Sequence, residues 1–358
     1  MTNRITMFDS FAIGKLQIKN RLVSSAIYER AAKEGHITPE IIEYYRHLAE
    51  GGVGLAITGM EAVSEGAVNG PAMIKTTYDG YVEDMQKLVE IFHGQGSKLF
   101  VQLQHTGYKT AWQQGGDTFG VSAYKVSEDC TYHEATVEEL NQLVHAFGQA
   151  ALRCKAAGCD GVEIHAVHGY LLNTFLSPYF NHRTDGYGGS IANRARLLFE
   201  VYEEVRKQVG IDFCVAVKFP CSDLVTPSIT SEETVWACQE LERRGVDMIE
   251  VSAGITRDGF SPLVRAGKEE GKFSAGAELI AAQVHIPVIS VCGYRSPQYI
   301  EEILNTTHIA AVALGRPLIS EPGLVKRWQT DTTKARCLSC NGCFKTKGIV
   351  SCILKKSQ

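Results

Sequence analysis

The sequence predicts an α/β protein: a closed (β/α)8 TIM barrel followed by a short Cys-rich C-terminal extension. Three observations predict it. Short apolar runs rich in β-branched residues recur along the chain without polar alternation, as strands do when both faces of a parallel sheet are covered. Amphipathic helical segments separate these runs. The alternation repeats about eight times over roughly 300 residues, the size of such a barrel. A doubly wound open sheet needs fewer units and would show a GxGxxG turn after an early strand, and the sequence has none there.

In order, the predicted strands are RLVSSA (21–26), VGLAIT (53–58), KLFVQL (98–103), GVEIHA (161–166), FCVAVKF (213–219), MIEVSA (248–253), PVISVC (287–292) and IAAVALG (309–315). Helical patterns fall between them, among them 81–92, 140–157, 195–208 and 234–244. Thr136 to Glu139 and Thr230 to Glu233 read as capping boxes. Gly51, Gly158, Gly210 and Gly245 read as helix stops. The loops after the third and fourth strands, roughly 104–135 and 167–190, are long enough to be functional. The barrel is expected over residues 1–335 and the extension over 336–358.

Composition narrows the function. With 358 residues, 44% of them hydrophobic, the chain can build a large core. A formal net charge of -4 gives no basic field to hold nucleic acid. Neither a signal-peptide pattern nor an apolar run of the roughly 18 residues needed to span a bilayer is present, so a soluble, cytoplasmic protein without membrane contact is expected. Seven of the 11 cysteines are scattered singly, several of them in apolar segments where Cys acts as a small hydrophobe.

A barrel places its active-site groups at the C-terminal ends of its strands. Those ends carry Ser25 and Tyr28, Gly59 and Met60, Gln102 and His105, then His165, His168 and Tyr170. Lys218, Ser252, Gly293, Tyr294, Arg295, Gly315 and Arg316 complete the ring. CGYR (292–295) and LGRP (314–317) each set a glycine after a strand with an arginine beside it. That suits a phosphate, since backbone N–H groups can approach an anion there; tight turns with solvated arginines are the plainer alternative. Lys218, inside the apolar run VAVKF, either points into a polar mouth or pairs with a buried carboxylate. Lys218 and Gln102 together suit a flat heterocycle that gains negative charge on reduction. His165 and His168 with Tyr170 can hold a substrate oxygen and supply a proton. Ordinary satisfied histidines are the alternative, and a metal site lacks a third ligand in this loop.

The motif HAVHGY (165–170) followed by FLSPYFNHRTDGYGGSIANRAR (175–196) resembles the Old Yellow Enzyme family of FMN-dependent NADH:flavin oxidoreductases and ene reductases. The likeness runs from FDSFAIGKLQIKNRLV (8–23) to ALGRPLISEPGLVKRW (313–328). It implies flavin-ring contacts at Ser25, Ala26, Gly59 and Met60, with Gln102 on the pyrimidine edge and Lys218 facing N1 and the C2 oxygen. It implies FMN phosphate binding at Gly293, Tyr294, Gly315 and Arg316. It also implies carbonyl binding by His165 and His168, and proton donation by Tyr170. Tyr108 stands where many relatives carry Arg, and Tyr28 near a position often held by Cys or Thr.

The remaining cysteines, Cys337, Cys340, Cys343 and Cys352, have the spacing C-x2-C-x2-C-x8-C, which suits tetrathiolate ligation. It resembles the iron–sulfur motif of 2,4-dienoyl-CoA reductase and trimethylamine dehydrogenase, with a shorter last gap. A [4Fe-4S] cluster, zinc and free thiols are the readings it leaves open. The expected activity is NAD(P)H-driven reduction, through FMN, of the C=C bond in an enone- or enal-type substrate. The alternatives are a flavin/iron–sulfur electron-transfer subunit, a related flavin dehydrogenase or enoyl-CoA-type reductase, and an idle flavin-binding scaffold. The sequence does not choose between NADH and NADPH, or between a homo-oligomer and docking to an electron-transfer partner.

Overall fold

The structure is a computed structural model, and it describes residues 4–110, 118–127, 130–255 and 269–354. The strands β1 (Leu22–Ser24), β2 (Leu55–Ala62), β3 (Lys98–Gln104), β4 (Gly161–His165), β5 (Cys214–Pro220), β6 (Met248–Ser252), β7 (Val288–Val291) and β8 (Ala311–Leu314) form a closed barrel. Each pairs in parallel with its neighbours in chain order, and β8 closes on β1. All eight predicted runs are barrel strands. The register of β2 on β3 slips between Ile57 and Met60, a bulge at Thr58 and Gly59.

The two-residue period of a strand decides what the barrel holds. On β5, Val215, Val217 and Phe219 pack outward with the helices, while Ala216 belongs to an inner apolar layer. Lys218 has the parity of Ala216 and therefore points inward. The same argument sends Gln102 inward above Phe100, Glu250 and Ser252 inward above Met248, and Glu163 and His165 inward above Gly161. Gly161 has to lack a side chain, because a Cβ there would lie 2.7 Å from both the Phe100 ring and the Cys214 carbonyl oxygen.

A short antiparallel hairpin, Phe11–Ile13 with Leu16–Ile18, closes the N-terminal end. Its Phe11, Ile13 and Ile18 pack with Leu55, Phe100, Met248 and Ile289 in the inner layer. The bottom of the barrel is thereby dry and apolar, and polar groups collect at the opposite mouth.

Both predicted capping boxes form. The Glu139 amide donates to Thr136 Oγ1 at 3.2 Å and the Thr136 amide to Glu139 at 2.8 Å, starting helix Val137–Ala156. Thr230 and Glu233 do the same for Ser231–Arg244. The long excursion after β3 carries a short 3-10 turn, Gly107–Thr110, and a small three-stranded sheet of Phe119–Gly120, Tyr124–Ser127 and Cys130–Glu134. Part of that expected loop, 111–117 and 128–129, lies outside the described residues. Among the described residues no helix is long and apolar enough to cross a membrane.

Candidate active site

Directly above the inner apolar layer lies a buried polar floor. Lys218 Nζ donates to Ser25 Oγ at 2.9 Å and pairs with Glu250 Oε1 at 3.1 Å, and Ser25 Oγ donates to the same carboxylate oxygen at 2.7 Å. Gln102 Nε2 donates to Glu163 Oε2 at 2.6 Å. Both readings offered for Lys218 therefore hold: it pairs with a buried carboxylate, and it also lines the open cleft above.

On one side of the mouth stand the imidazoles. His165 Nε2 lies 3.2 Å from His168 Nδ1, and His168 Nε2 lies 2.8 Å from Ser252 Oγ. The Tyr170 ring sits against His165 at 4.9 Å between centroids. Burial, first of all, and then nearby cations hold both histidines well below the usual imidazole range, so both are neutral. Burial pushes the Tyr170 phenol up to about 12, which keeps its proton in place at neutral pH. His165 Nδ1 is buried and has no hydrogen-bond partner among the described residues.

His168 adopts a left-handed backbone, φ 67°, unusual for a residue with a side chain. The strain is held from two sides: Lys109 Nζ donates to the His168 carbonyl at 2.6 Å, and the next amide, Gly169, donates to Asn173 Oδ1 at 2.6 Å. Lys109 also lies 4.1 Å above the Tyr170 ring. Burial pushes its ammonium down to about 8.

On the other side, the β7 and β8 turns line an open cleft together with Ser25, Ala26, Lys218, His168 and Ser252. Cys292 and Gly293 are both left-handed, φ 96° and 97°, which turns the chain sharply at the end of β7. Gly293, Tyr294, Gly315 and Arg316 all border the cleft, as does Arg295, the arginine of the CGYR turn. The Tyr294 hydroxyl donates into the core, to Ser290 Oγ at 2.8 Å, and is not available to the cleft.

Gly59 and Met60 sit on the β2 bulge, outside the residues that line the cleft. The Gly59 amide is taken by Glu29 Oε1 at 2.9 Å and the Tyr45 hydroxyl at 2.8 Å. A Cβ at Gly59 would stand 2.2 Å from Glu29 Oε2. Tyr108 braces the excursion after β3: its hydroxyl donates to the Ser122 carbonyl at 2.6 Å and accepts from the Ser122 amide at 3.0 Å. Tyr28 is half-buried and donates to the Asn69 carbonyl at 3.2 Å.

The Cys-rich tail folds back onto this mouth. Ser339 and Phe344 line the same cleft, and Arg316 Nη1 bonds Asn341 Oδ1 and, at 3.4 Å, the Ser339 carbonyl. Arg30 donates to the carbonyls of Cys343 and Phe344 at 2.8 and 2.9 Å. Cys337 and Cys343 are buried, Cys352 is partly exposed and Cys340 is exposed. Among the described residues, no three Cys, His, Asp or Glu side chains are gathered closely enough to hold a metal ion.

The sequence missed Lys109, Ser252 as a partner of His168, and the two carboxylates of the floor. Lys109 had a signal, a lysine two residues after Gly107 in a long loop; the others depend on which strands face one another.

The model of the NADH:flavin oxidoreductase / NADH oxidase family matches residues 6–334. An NADPH dehydrogenase of Bacillus subtilis is 35% identical over 321 residues, covering 88% of this chain and 92% of its own length. An NADH oxidase of Thermoanaerobacter brockii is 33% identical over 355 residues, 96% of this chain but 54% of that protein. The solved structure of a 2-naphthoyl-CoA reductase in complex with 2-naphthoyl-CoA superposes with a TM-score of 0.89 at 25% identity, over 98% of this chain and 57% of that one. Morphinone reductase shares the fold, with a TM-score of 0.78 at 24% identity over 92% of each chain. The chain thus spans about half the length of some relatives and nearly all of others. It belongs to the NADH:flavin oxidoreductase / NADH oxidase family.

Proposed function

We propose that the chain binds FMN in this cleft and reduces the C=C bond of α,β-unsaturated carbonyl compounds at the expense of NAD(P)H. One observation carries the reading: a single cleft joins the glycine–arginine turns of β7 and β8 to Lys218 and to a neutral imidazole. The donor set fits FMN. Gly293, Gly315, Arg316 and the backbone of Tyr294 would hold the phosphate. Ser25, Ala26 and Lys218 would meet the ring, with Gln102, Gly59 and Met60 along its far edge. Relatives bearing the names NADPH dehydrogenase and cinnamate reductase support the same chemistry.

Bound FMN would supply the hydride chemistry, accepting from NAD(P)H and delivering to the β-carbon of the substrate. The protein's share is orientation and proton placement. The neutral His165–His168 pair binds the carbonyl oxygen through its one unengaged N–H, on His165 Nδ1, and draws charge toward it. Tyr170, kept protonated by burial, gives its proton to the α-carbon. Lys109, over the Tyr170 ring, holds the His168 loop in its strained form.

The tail supports a second element of the reading. The Ser339 amide donates to Cys337 Sγ at 3.4 Å and the Gly342 amide to Cys340 Sγ at 3.5 Å, while burial pushes the Cys337 and Cys343 thiols up. Together with the C-x2-C-x2-C-x8-C spacing the N–H···S bonds support a [4Fe-4S] cluster, or zinc, on Cys337, Cys340, Cys343 and Cys352. A cluster beside the cleft would suit electron exchange with a docked protein.

The test is a visible spectrum of anaerobically purified, FMN-loaded protein. A yellow protein that NAD(P)H bleaches and a simple enone restores supports the proposal. A colourless protein indifferent to added FMN overturns it.

A further inference from the structure

The floor of the site holds two buried acids, and the mechanism above uses neither. Glu163 on β4 and Glu250 on β6 flank β5, and both are fully enclosed. Glu163 stands level with Ala216, whose methyl leaves room, and Glu250 stands level with Lys218. Both carboxyls stand on the inner face of the barrel, one on each side of β5, and Glu250 acts electrostatically on Glu163. Each has one oxygen already engaged, Glu163 Oε2 by Gln102 and Glu250 Oε1 by Ser25 and Lys218. Each has its other oxygen, Glu163 Oε1 and Glu250 Oε2, buried without any donor among the described residues.

Two carboxylates cannot bond to each other, because both only accept. A proton between the two orphaned oxygens satisfies both. The groups facing the pair are Lys218, Gln102 and Ser25, with the neutral His165 one position above. Lys218 is the one cation among them.

We propose that Glu163 and Glu250 share a single proton, so that the floor carries one negative charge against the single positive charge of Lys218. These glutamates act as positioning residues. The shared proton keeps the Lys218 ammonium matched rather than outnumbered, and Glu163 Oε2 fixes the Gln102 amide by accepting its N–H. The consequence for a bound flavin rests on the FMN reading; the proton itself does not. Burial, followed by the charge of Glu250, pushes the Glu163 carboxyl well above the usual range, consistent with this arrangement.

The charge count gives a sharp test. Glu163→Gln or Glu250→Gln alone leaves one carboxylate to match Lys218. The double variant leaves Lys218 buried and unmatched. Infrared difference spectra of the flavin-free protein, wild type minus Glu163→Gln, should show a carboxylic-acid carbonyl stretch that shifts in D2O. FMN affinity and midpoint potential should stay near wild type in both single variants, within about threefold in Kd, and change together by more than about tenfold in Kd in the double variant. An absent acid carbonyl band, or equal and additive shifts in the two single variants, would overturn the shared proton even if the double variant does not fold. Failure to bind FMN with the band present would sink the flavin reading and leave the proton standing.

Discussion

Ser252 Oγ lies 2.8 Å from Nε2 of His168, on the side of the ring opposite His165. Both imidazoles are neutral, so each has one N–H and one lone pair, and the chain of contacts can run in only two directions. If Ser252 donates to His168 Nε2, then His168 Nδ1–H donates to His165 Nε2. His165 is left with its hydrogen on Nδ1, the atom without a partner. That direction gives the pair a free donor for a carbonyl oxygen; the reverse gives a lone pair.

Ser252→Ala removes the group that sets this direction. Binding of a simple phenol, which mimics the substrate oxygen, should weaken about three- to tenfold, and Ser252→Thr should restore it. KM for an enone should rise more than the rate of flavin reduction falls. Unchanged phenol affinity in Ser252→Ala would remove the relay from the account.

Tyr170 is assigned a role in one half-reaction only. Tyr170→Phe should slow reoxidation by an enone about 100-fold or more while flavin reduction by NAD(P)H stays within about twofold. Rapid mixing of pre-reduced protein with substrate separates the two. Equal slowing of both halves would mean the ring serves packing against His165 rather than proton transfer.

Much of this architecture is legible in the chain because burial writes it there. β4, β5 and β6 read as mostly apolar runs, so His165 and Lys218 within them stand out. The capping boxes at Thr136 and Thr230 are local and need no tertiary context. Glu163 and Glu250 passed as ordinary strand residues because their meaning depends on barrel closure, which sets them across β5 from each other. The N-terminal hairpin has strands too short to show a period. Tyr108 stands where many relatives carry Arg, and its hydroxyl is committed to Ser122. Lys109, one residue on, is the side chain that reaches the site.

Lys109 should leave a mark on stability. Its buried ammonium sits at about 8, below the ordinary 10.5. Between those values the unfolded chain binds more protons than the folded one, so this group makes stability rise as pH climbs from about 8 to about 10.5. Below that window its cost is fully present, on the order of 1–3 kcal/mol. Comparing denaturation of wild type with Lys109→Met at pH about 7.5 and about 10.5 isolates the slope from the lost bond to His168. A parallel pair of curves would show that Lys109 is not buried as described.

The tail makes the last prediction. Its two N–H···S bonds sit at turns where Ser339 and Asn341 adopt left-handed backbones, φ 55° and 63°. Side chains resist that conformation, and a free, solvated segment has no reason to hold it twice within three residues. Ligation of the sulfurs would offset the cost and draw in Cys343 and Cys352. Protein purified without oxygen should therefore carry iron and acid-labile sulfide, about four of each per chain, or one zinc in their place. Because Arg316 is tied to Ser339 and Asn341, Cys340→Ser should also loosen the phosphate end of the cleft and weaken FMN binding. Metal-free protein with wild-type FMN affinity in Cys340→Ser would reduce the tail to a strap of free thiols.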